Sequence, residues 1–350
     1  MKRSIRAACF LLLALTLAAP ALAIPGAADR VPAATLLVPF FETGIDSTTN
    51  PHDTLLVVTN WLFATITFHY HVWDVDGSAT GLNGNITLNA LDTWSAAMRD
   101  LINTASPAVR TQLTVGAFYR GFMTIDVVTA ATALDPLQGG YPFGSTNALE
   151  GFTYYTRLSQ GSANGLAMVP LESVPGTTDS FMSGFYGAGD REEIDSTARF
   201  CAQQLSTNPG GTTGCTTASD DSDIDRFHLR IFRSTPLSGS SRAVIFTWRP
   251  GLTEGPSVFC DSDPCASAYT FRQYDEDGTV VQDTTLRLDH VVNVIENSQI
   301  TGALAGWLSV FDVPNVQIDT QVYAFSFNSA APAGNPNLTW DAIFEGYIVP

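Results

Sequence analysis

The stretch "FHYHVWDVDG" (residues 68–77) gathers the side chains in this chain most capable of chemistry. His69 and His71 stand at i and i+2, so on a strand both imidazoles leave the same face and can grip one metal ion. Trp73 follows on that face, while Phe68, Tyr70 and Val72 take the other. Asp74 and Asp76 come next, and Asp76-Gly77 is a hairpin-turn signal. The bland alternative is a polar strand face, shared with Thr65 and Thr67, that runs into a turn. No third metal ligand stands nearby in the sequence.

A second stretch, "YTFRQYDEDG" (269–278), weighs between these readings. Thr270 and Arg272 occupy the places of His69 and His71, Tyr274 that of Trp73, and Asp-x-Asp-Gly is kept. The retained element is thus a turn, and folding is expected not to depend on a metal. His69, His71, Trp73 and Tyr274 remain candidates for a ligand-binding face, because aromatic rings offer flat surfaces on which sugars stack. The competing expectation is that each ring is covered by a loop or by the other domain.

Acidic clusters are weighed the same way. Asp221, Asp223 and Asp225 alternate in "SDDSDIDRF" and form the candidate calcium site. Arg226 stands where a calcium loop needs glycine and Phe232 at its twelfth position, so only an irregular site fits. Otherwise the run is a solvated approach to the strand "FHLRIF". Counting from Asp275 puts Leu286 at the twelfth position, which favours turns at both Asp-x-Asp-Gly sequences.

Nucleophilic and phosphoryl chemistry find no motif. There is no Gly-x-Ser-x-Gly, no His-Glu-x-x-His and no glycine-rich phosphate loop. His52, His228 and His290 could meet serines and aspartates in space, which would make a hydrolase, but abundance is not a signal. Lys2 is the only lysine, so the mature chain is left without Schiff-base or phosphate-loop lysine chemistry.

The opening "MKRSIRAACFLLLALTLAAPALA" has a basic start, an apolar run and Ala21-Leu22-Ala23, the pattern of a secretory signal peptide (1–23) cleaved near Ala23. A secreted or periplasmic protein is expected, with no transmembrane segment. Removing 23 of 350 residues leaves 327 and takes the formal charge from −17 to −20, because Lys2, Arg3 and Arg6 are lost. Such an acidic surface repels nucleic acid and anionic lipid. In an exported chain Cys201, Cys215, Cys260 and Cys265 are read as disulfides, paired locally as 201–215 and 260–265, in preference to a zinc site.

The elements that must position these residues are mostly strands. Short runs of Val, Ile, Phe, Thr and Tyr alternate with period two between Gly, Asn, Asp and Pro, the pattern of an all-β sandwich or barrel. Helices are expected only in "DTWSAAMRDLI", behind an Asp92 cap, and after Ser106-Pro107. An internal repeat runs through the chain. "TLLVVTNW" (54–61) matches "RAVIFTWR" (242–249), "ITLNALD" (86–92) matches "TTLRLD" (284–289), and "GFMTIDV" (121–127) matches "GWLSVFDV" (306–313). "LLVPFFETG" pairs with "FHLRIFRST" (227–235). The reading is two related antiparallel β-sandwiches, immunoglobulin-like in kind, at 31–175 and 227–350. A polar, disulfide-stapled insertion at 176–226 joins them.

"AATLLVPFFETGID", "TLLVVTNW", "ALDTWSAAMRDLI" and "VIFTWRPG" followed by "FRQYDEDGT" together resemble a group of uncharacterised secreted bacterial β-rich proteins. The resemblance covers most of the mature chain. It implies an exported β-rich protein and carries over no functional residue. The expected role is a non-enzymatic structural or binding protein, with a cell-surface glycan or another protein as partner. A glycan-binding module using the aromatic and His strand face is the alternative.

Overall fold

The computed structural model describes residues 31–171 and 226–348, apart from 50, 137, 139, 158–161, 233–237, 249–266, 276, 289, 297, 298, 300–304, 313–320, 332–339 and 346. The expected signal peptide, Cys201, Cys215, Cys260 and Cys265, the Asp221/Asp223/Asp225 run and nearly all of the expected insertion lie outside them.

Alternating β-branched and aromatic residues make the described chain all-β. The first ten strands are β1 (Thr35–Gly44), β2 (His52–Asn60), β3 (Ile66–Trp73), β4 (Ala79–Leu88), β5 (Thr93–Ala97), β6 (Thr114–Val115), β7 (Phe118–Val128), β8 (Leu149–Arg157), β9 (Ser162–Ala167) and β10 (Val169–Leu171). They form sheet A, ordered β5-β2-β8-β9, and sheet B, ordered β10-β1-β7-β3-β4 with β6 on β7. The next nine are β11 (Arg226–Phe232), β12 (Ser238–Trp248), β13 (Ser267–Asp275), β14 (Val280–Leu288), β15 (Val292–Ile295), β16 (Ala305–Asp312), β17 (Gln321–Ala331), β18 (Trp340–Glu345) and β19 (Tyr347–Ile348). Sheet C runs β15-β12-β17-β18 and sheet D runs β19-β11-β16-β13-β14. Sheet C thus repeats the order of sheet A, and sheet D that of sheet B. Every pairing is antiparallel.

The ladders refine the repeat. Trp73 pairs with Phe122 as Tyr274 pairs with Trp307, so these positions are equivalent. His71 pairs with Asn83 and Arg272 with Asp283, which moves the "ITLNALD" match from an offset of 197 to one of 200. "FTYYT" (152–156) and "FSFNS" (325–329) correspond, with Thr153 and Ser326 both buried. Since Tyr154 pairs with Leu55 and Phe327 with Arg242, Leu55 is equivalent to Arg242, and the "TLLVVTNW" match shifts by one residue. A shift of one swaps the faces of a strand, so the correction decides which side chains are comparable.

Helix α1 (Met98–Thr104) and helix α2 (Pro107–Gln112) are the two described helices. Helix α2 starts as expected, with Ser106 Oγ accepting from Val109 N and Pro107 in the first turn. The other expected helix begins late. Trp94 pairs with Val58 in strand β5, Asp92 caps a turn by accepting from Thr93 N, and the helical turn starts only after Ala97. Pairing with β2 overrides the helix pattern there.

Sheets A and B bury Leu36, Val38, Phe41, Leu56, Val58, Phe68, Tyr70, Val72, Met123 and Ile125 between them. Sheet B is covered on its other side too, which is why every residue of β1 is buried. A register shift between Val38 and Phe41 lets "VPFF" send Phe41 to one core and Phe40 to the second. That second core joins Leu37, Phe40, Trp73 and Phe122 of sheet B to Val244 and Phe246 of sheet C and to Val291 and Val292. Strand β11 of sheet D packs against β12, β17 and β18 of sheet C, so the sheets follow in the order A, B, C, D, with Leu166 on the edge strand β9 of sheet A also reaching the B–C core.

Candidate functional site

His69, His71 and Trp73 lie on the outward side of sheet B, as their alternation requires, and that side is buried. Their exposures are 0%, 2% and 0%. Trp73 stacks on Phe122 with ring centres 5.9 Å apart, and Phe122 meets Phe246 of sheet C edge-on at 5.1 Å. The Trp73 indole N–H donates to Thr124 Oγ1 at 3.0 Å. The polar strand face expected here is thus an interface, and Trp73 offers no surface for a sugar to stack on.

At the other end the face is closed by the segment after β7. The His69 Nδ1 lies 3.2 Å from Asn85 Oδ1, while Asn85 and Thr132 exchange two hydrogen bonds, of 2.6 and 3.1 Å. His71 Nε2 is 4.0 Å from Asp135, and neither ring nitrogen of His71 has a hydrogen-bond partner. Burial first, and the neighbouring His69 second, hold the His71 pKa down to about 3. Burial lowers that of His69 as well. Both rings are neutral near pH 7. Beside them Asp126 accepts from Thr35 Oγ1 and from the Tyr141 hydroxyl. Burial, and then the Asp126 charge, raise the Tyr141 pKa, so that hydroxyl stays protonated. No three His, Cys, Asp or Glu side chains come together to hold a metal among the described residues.

The same interface carries a charge cluster that the sequence does not reveal. Glu42 is buried, and Arg242 grips it with two hydrogen bonds of 2.8 Å. Arg120 Nε donates to the same carboxylate at 2.8 Å. Burial alone would raise the Glu42 pKa, but the Arg242 and Arg120 guanidiniums override it and hold it below the usual value. Val292 N donates to Val75 O at 3.0 Å, and His290 bonds to Asp76, so the second unit also grips the β3–β4 turn of the first.

That turn is itself the repeated feature. Asp74 Oδ1 accepts from Asp76 N and Ser78 N at 3.0 and 2.8 Å, and Asp275 Oδ1 accepts from Asp277 N and Thr279 N at the same distances. Gly77 and Gly278 take φ of 82° and 78°, the left-handed region that glycine enters without penalty. Of the four candidate binding residues, only Tyr274 is not buried. It sits half-covered on the outward side of sheet D, where its neighbour Arg272 makes a two-pronged pair with Asp283 at 2.8 Å.

The exposed aromatic face lies elsewhere, on the outward side of sheet A. Leu55 pairs with Tyr154, Val57 with Phe152 and Thr59 with Glu150 across β2 and β8. Leu55 is 37% exposed, Tyr154 36%, and Trp61, one residue past β2, 51%. Phe152 and Tyr154 lie with ring centres 6.4 Å apart, and the Tyr154 ring lies against Gly165 of β9, where a Cβ would come within 2.8 Å of it. Buried Asn60 sets the adjoining loops. Its amide donates to Ala64 O and Asn89 O, both at 2.8 Å, and its oxygen accepts from Leu62 N at 2.9 Å. Phe63 projects from the loop so held. The recurrence of "FTYYT" as "FSFNS" is the signal by which the sequence could have marked this face.

No family model matches the chain, and no curated protein matches it. Among solved structures, the lectin from Pleurotus ostreatus in complex with GalNAc is 8% identical over 92% of this chain and 85% of that chain, with a TM-score of 0.19. The apo form of the Pleurotus ostreatus lectin is 9% identical over 92% and 89%, with a TM-score of 0.20. The structure of the infectious bursal disease virus Gt strain is 12% identical over 91% and 63%, with a TM-score of 0.18. Similarities at this level carry no argument about the site.

Proposed function

We propose that the protein is an exported, non-enzymatic structural or binding protein that works through the outward face of sheet A. The observation that carries this reading is how the chain spends its side chains. His69, His71 and Asp126 are enclosed by the segment after β7 that carries Tyr141, while Leu55, Phe152 and Tyr154 line an uncovered sheet with Trp61 exposed beside it. Exposed apolar side chains gathered on one face mark a contact surface. Export rests on the basic start, the apolar run and the Ala-x-Ala end of residues 1–23. Among the described residues no helix is long and apolar enough to cross a membrane. A glycan-binding reading has its own support, because rings beside Thr59, Thr93 and Glu150 combine stacking surfaces with groups that bond sugar hydroxyls.

Replacing Trp61 and Tyr154 together by serine tests the surface. Stability should change little, by about 0.5 kcal/mol per site. Association of the mature protein with a polysaccharide panel, with cell surfaces or with itself should be lost. Undiminished association in that variant would reject the face as the working surface.

A further inference from the structure

The two units stack head to tail. Sheet C docks on the outward side of sheet B, which leaves the outward side of sheet A exposed at Leu55 and Tyr154 and that of sheet D half-covered at Thr270, Arg272 and Tyr274. By strand order and register, sheet A is the equivalent of sheet C, and sheet D the equivalent of sheet B. We propose that a second copy of the chain docks its sheet A on sheet D of the first, repeating between chains the contact made within each. The proposal rests on the reading of sheet A as the contact surface and names the partner of that surface.

Residue pairs that correspond by register support it. The internal contact is held by Glu42 and Arg120 of sheet B and Arg242 of sheet C. Phe41 pairs with Gly121 and Ile231 with Gly306, so the positions equivalent to Glu42 and Arg120 are Phe232 and Ala305. The position equivalent to Arg242 is Leu55. All three charged residues have apolar residues at the equivalent register positions of sheets A and D. A buried ion cluster is strongly destabilised when one member is removed, whereas apolar groups on both sides are mutually compatible. The aromatic pair that receives sheet C, Trp73 and Phe122, has Tyr274 and Trp307 at the equivalent register positions of sheet D. On the incoming side, Phe152 and Tyr154 correspond to Phe325 and Phe327. Because the two faces differ, the contact is heterologous: it propagates to further copies or closes into a ring, and it does not form a two-fold dimer through one patch.

Sedimentation velocity across a concentration series tests this with Leu55→Asp, which blocks sheet A, and Tyr274→Asp, which blocks sheet D. Wild type should grow in mass with concentration, and each variant alone should remain monomeric. An equimolar mixture should recover a dimer and stop there, since each variant keeps the face the other has lost. Recovery in the mixture also proves both variants folded; Tyr274→Arg replaces Tyr274→Asp if thermal melting finds the latter unfolded. A wild type that stays monomeric, a variant that still assembles alone, or a mixture that stays monomeric overturns the proposal. Retention of a polysaccharide in a panel by a monomeric wild type, lost in Leu55→Asp alone, would keep the contact surface and reject self-docking. Leu55→Asp behaving as wild type in both assays would reject both.

Discussion

A buried neutral histidine makes stability depend on pH. His71 has an ordinary value of 6.5 when exposed and about 3 in the fold, because burial disfavours its cation. Between those values the unfolded chain takes up a proton that the native chain refuses. Its contribution is complete above pH 6.5 and is lost progressively as the pH falls toward 3. The loss approaches about 1.4 kcal/mol per pH unit for one proton. His69 adds in the same direction. Urea unfolding of wild type and His71→Gln at pH 7 and pH 5 should therefore show a steeper decline in the wild type. Equal declines would mean that His71 does not carry this linkage.

At the scale of the element, the repeat keeps what the backbone needs and varies what the faces need. Gly121 and Gly306 each sit where the paired neighbouring strand comes close. A Cβ on Gly121 would lie 2.1 Å from the Trp73 carbonyl oxygen, and one on Gly306 1.9 Å from that of Tyr274. Neither obstacle is a flexible side-chain end, so the strands themselves must move. Gly121→Ala and Gly306→Ala should each cost about 1–3 kcal/mol or more in chemical unfolding. A change within error at either position would show that β3–β7 or β13–β16 yields more easily than this geometry allows.

For the whole molecule, the decisive contact is the one between layers B and C. Glu42 stays charged there because Arg242 and Arg120 outweigh its burial, so the stability it contributes is present above the ordinary glutamate pKa and lost as acid protonates it. Glu42→Gln leaves two guanidiniums facing an amide and should cost about 3–5 kcal/mol. Changing Glu42→Phe, Arg120→Ala and Arg242→Leu together installs the residues found at the equivalent positions 232, 305 and 55. That triple variant should be more stable than Glu42→Gln alone, as urea midpoints would register. A triple variant weaker than the single one would show that the ion cluster is needed for packing the units.

Period-two alternation and the spacing of Gly, Asn and Asp determined the all-β class by themselves, since both express local backbone preference. The Asp-x-Asp-Gly turns were legible for the same reason: Asp74 and Asp275 bond their own following amides. Ser106-Pro107 likewise announced helix α2. Alternation also placed His69, His71 and Trp73 on one face, but it could not say what covers that face. That depends on Phe246 and Val292, more than 170 residues away in the chain, and on the segment holding Asp135 and Tyr141. A sheet with water on one side and a sheet enclosed by two layers can carry the same alternating residues. The burial of Trp73, the Glu42 cluster and the transfer of the exposed aromatic surface from β3 to β2 and β8 were therefore decided by the stacking of the sheets, and the enclosure of the histidines by the segment after β7.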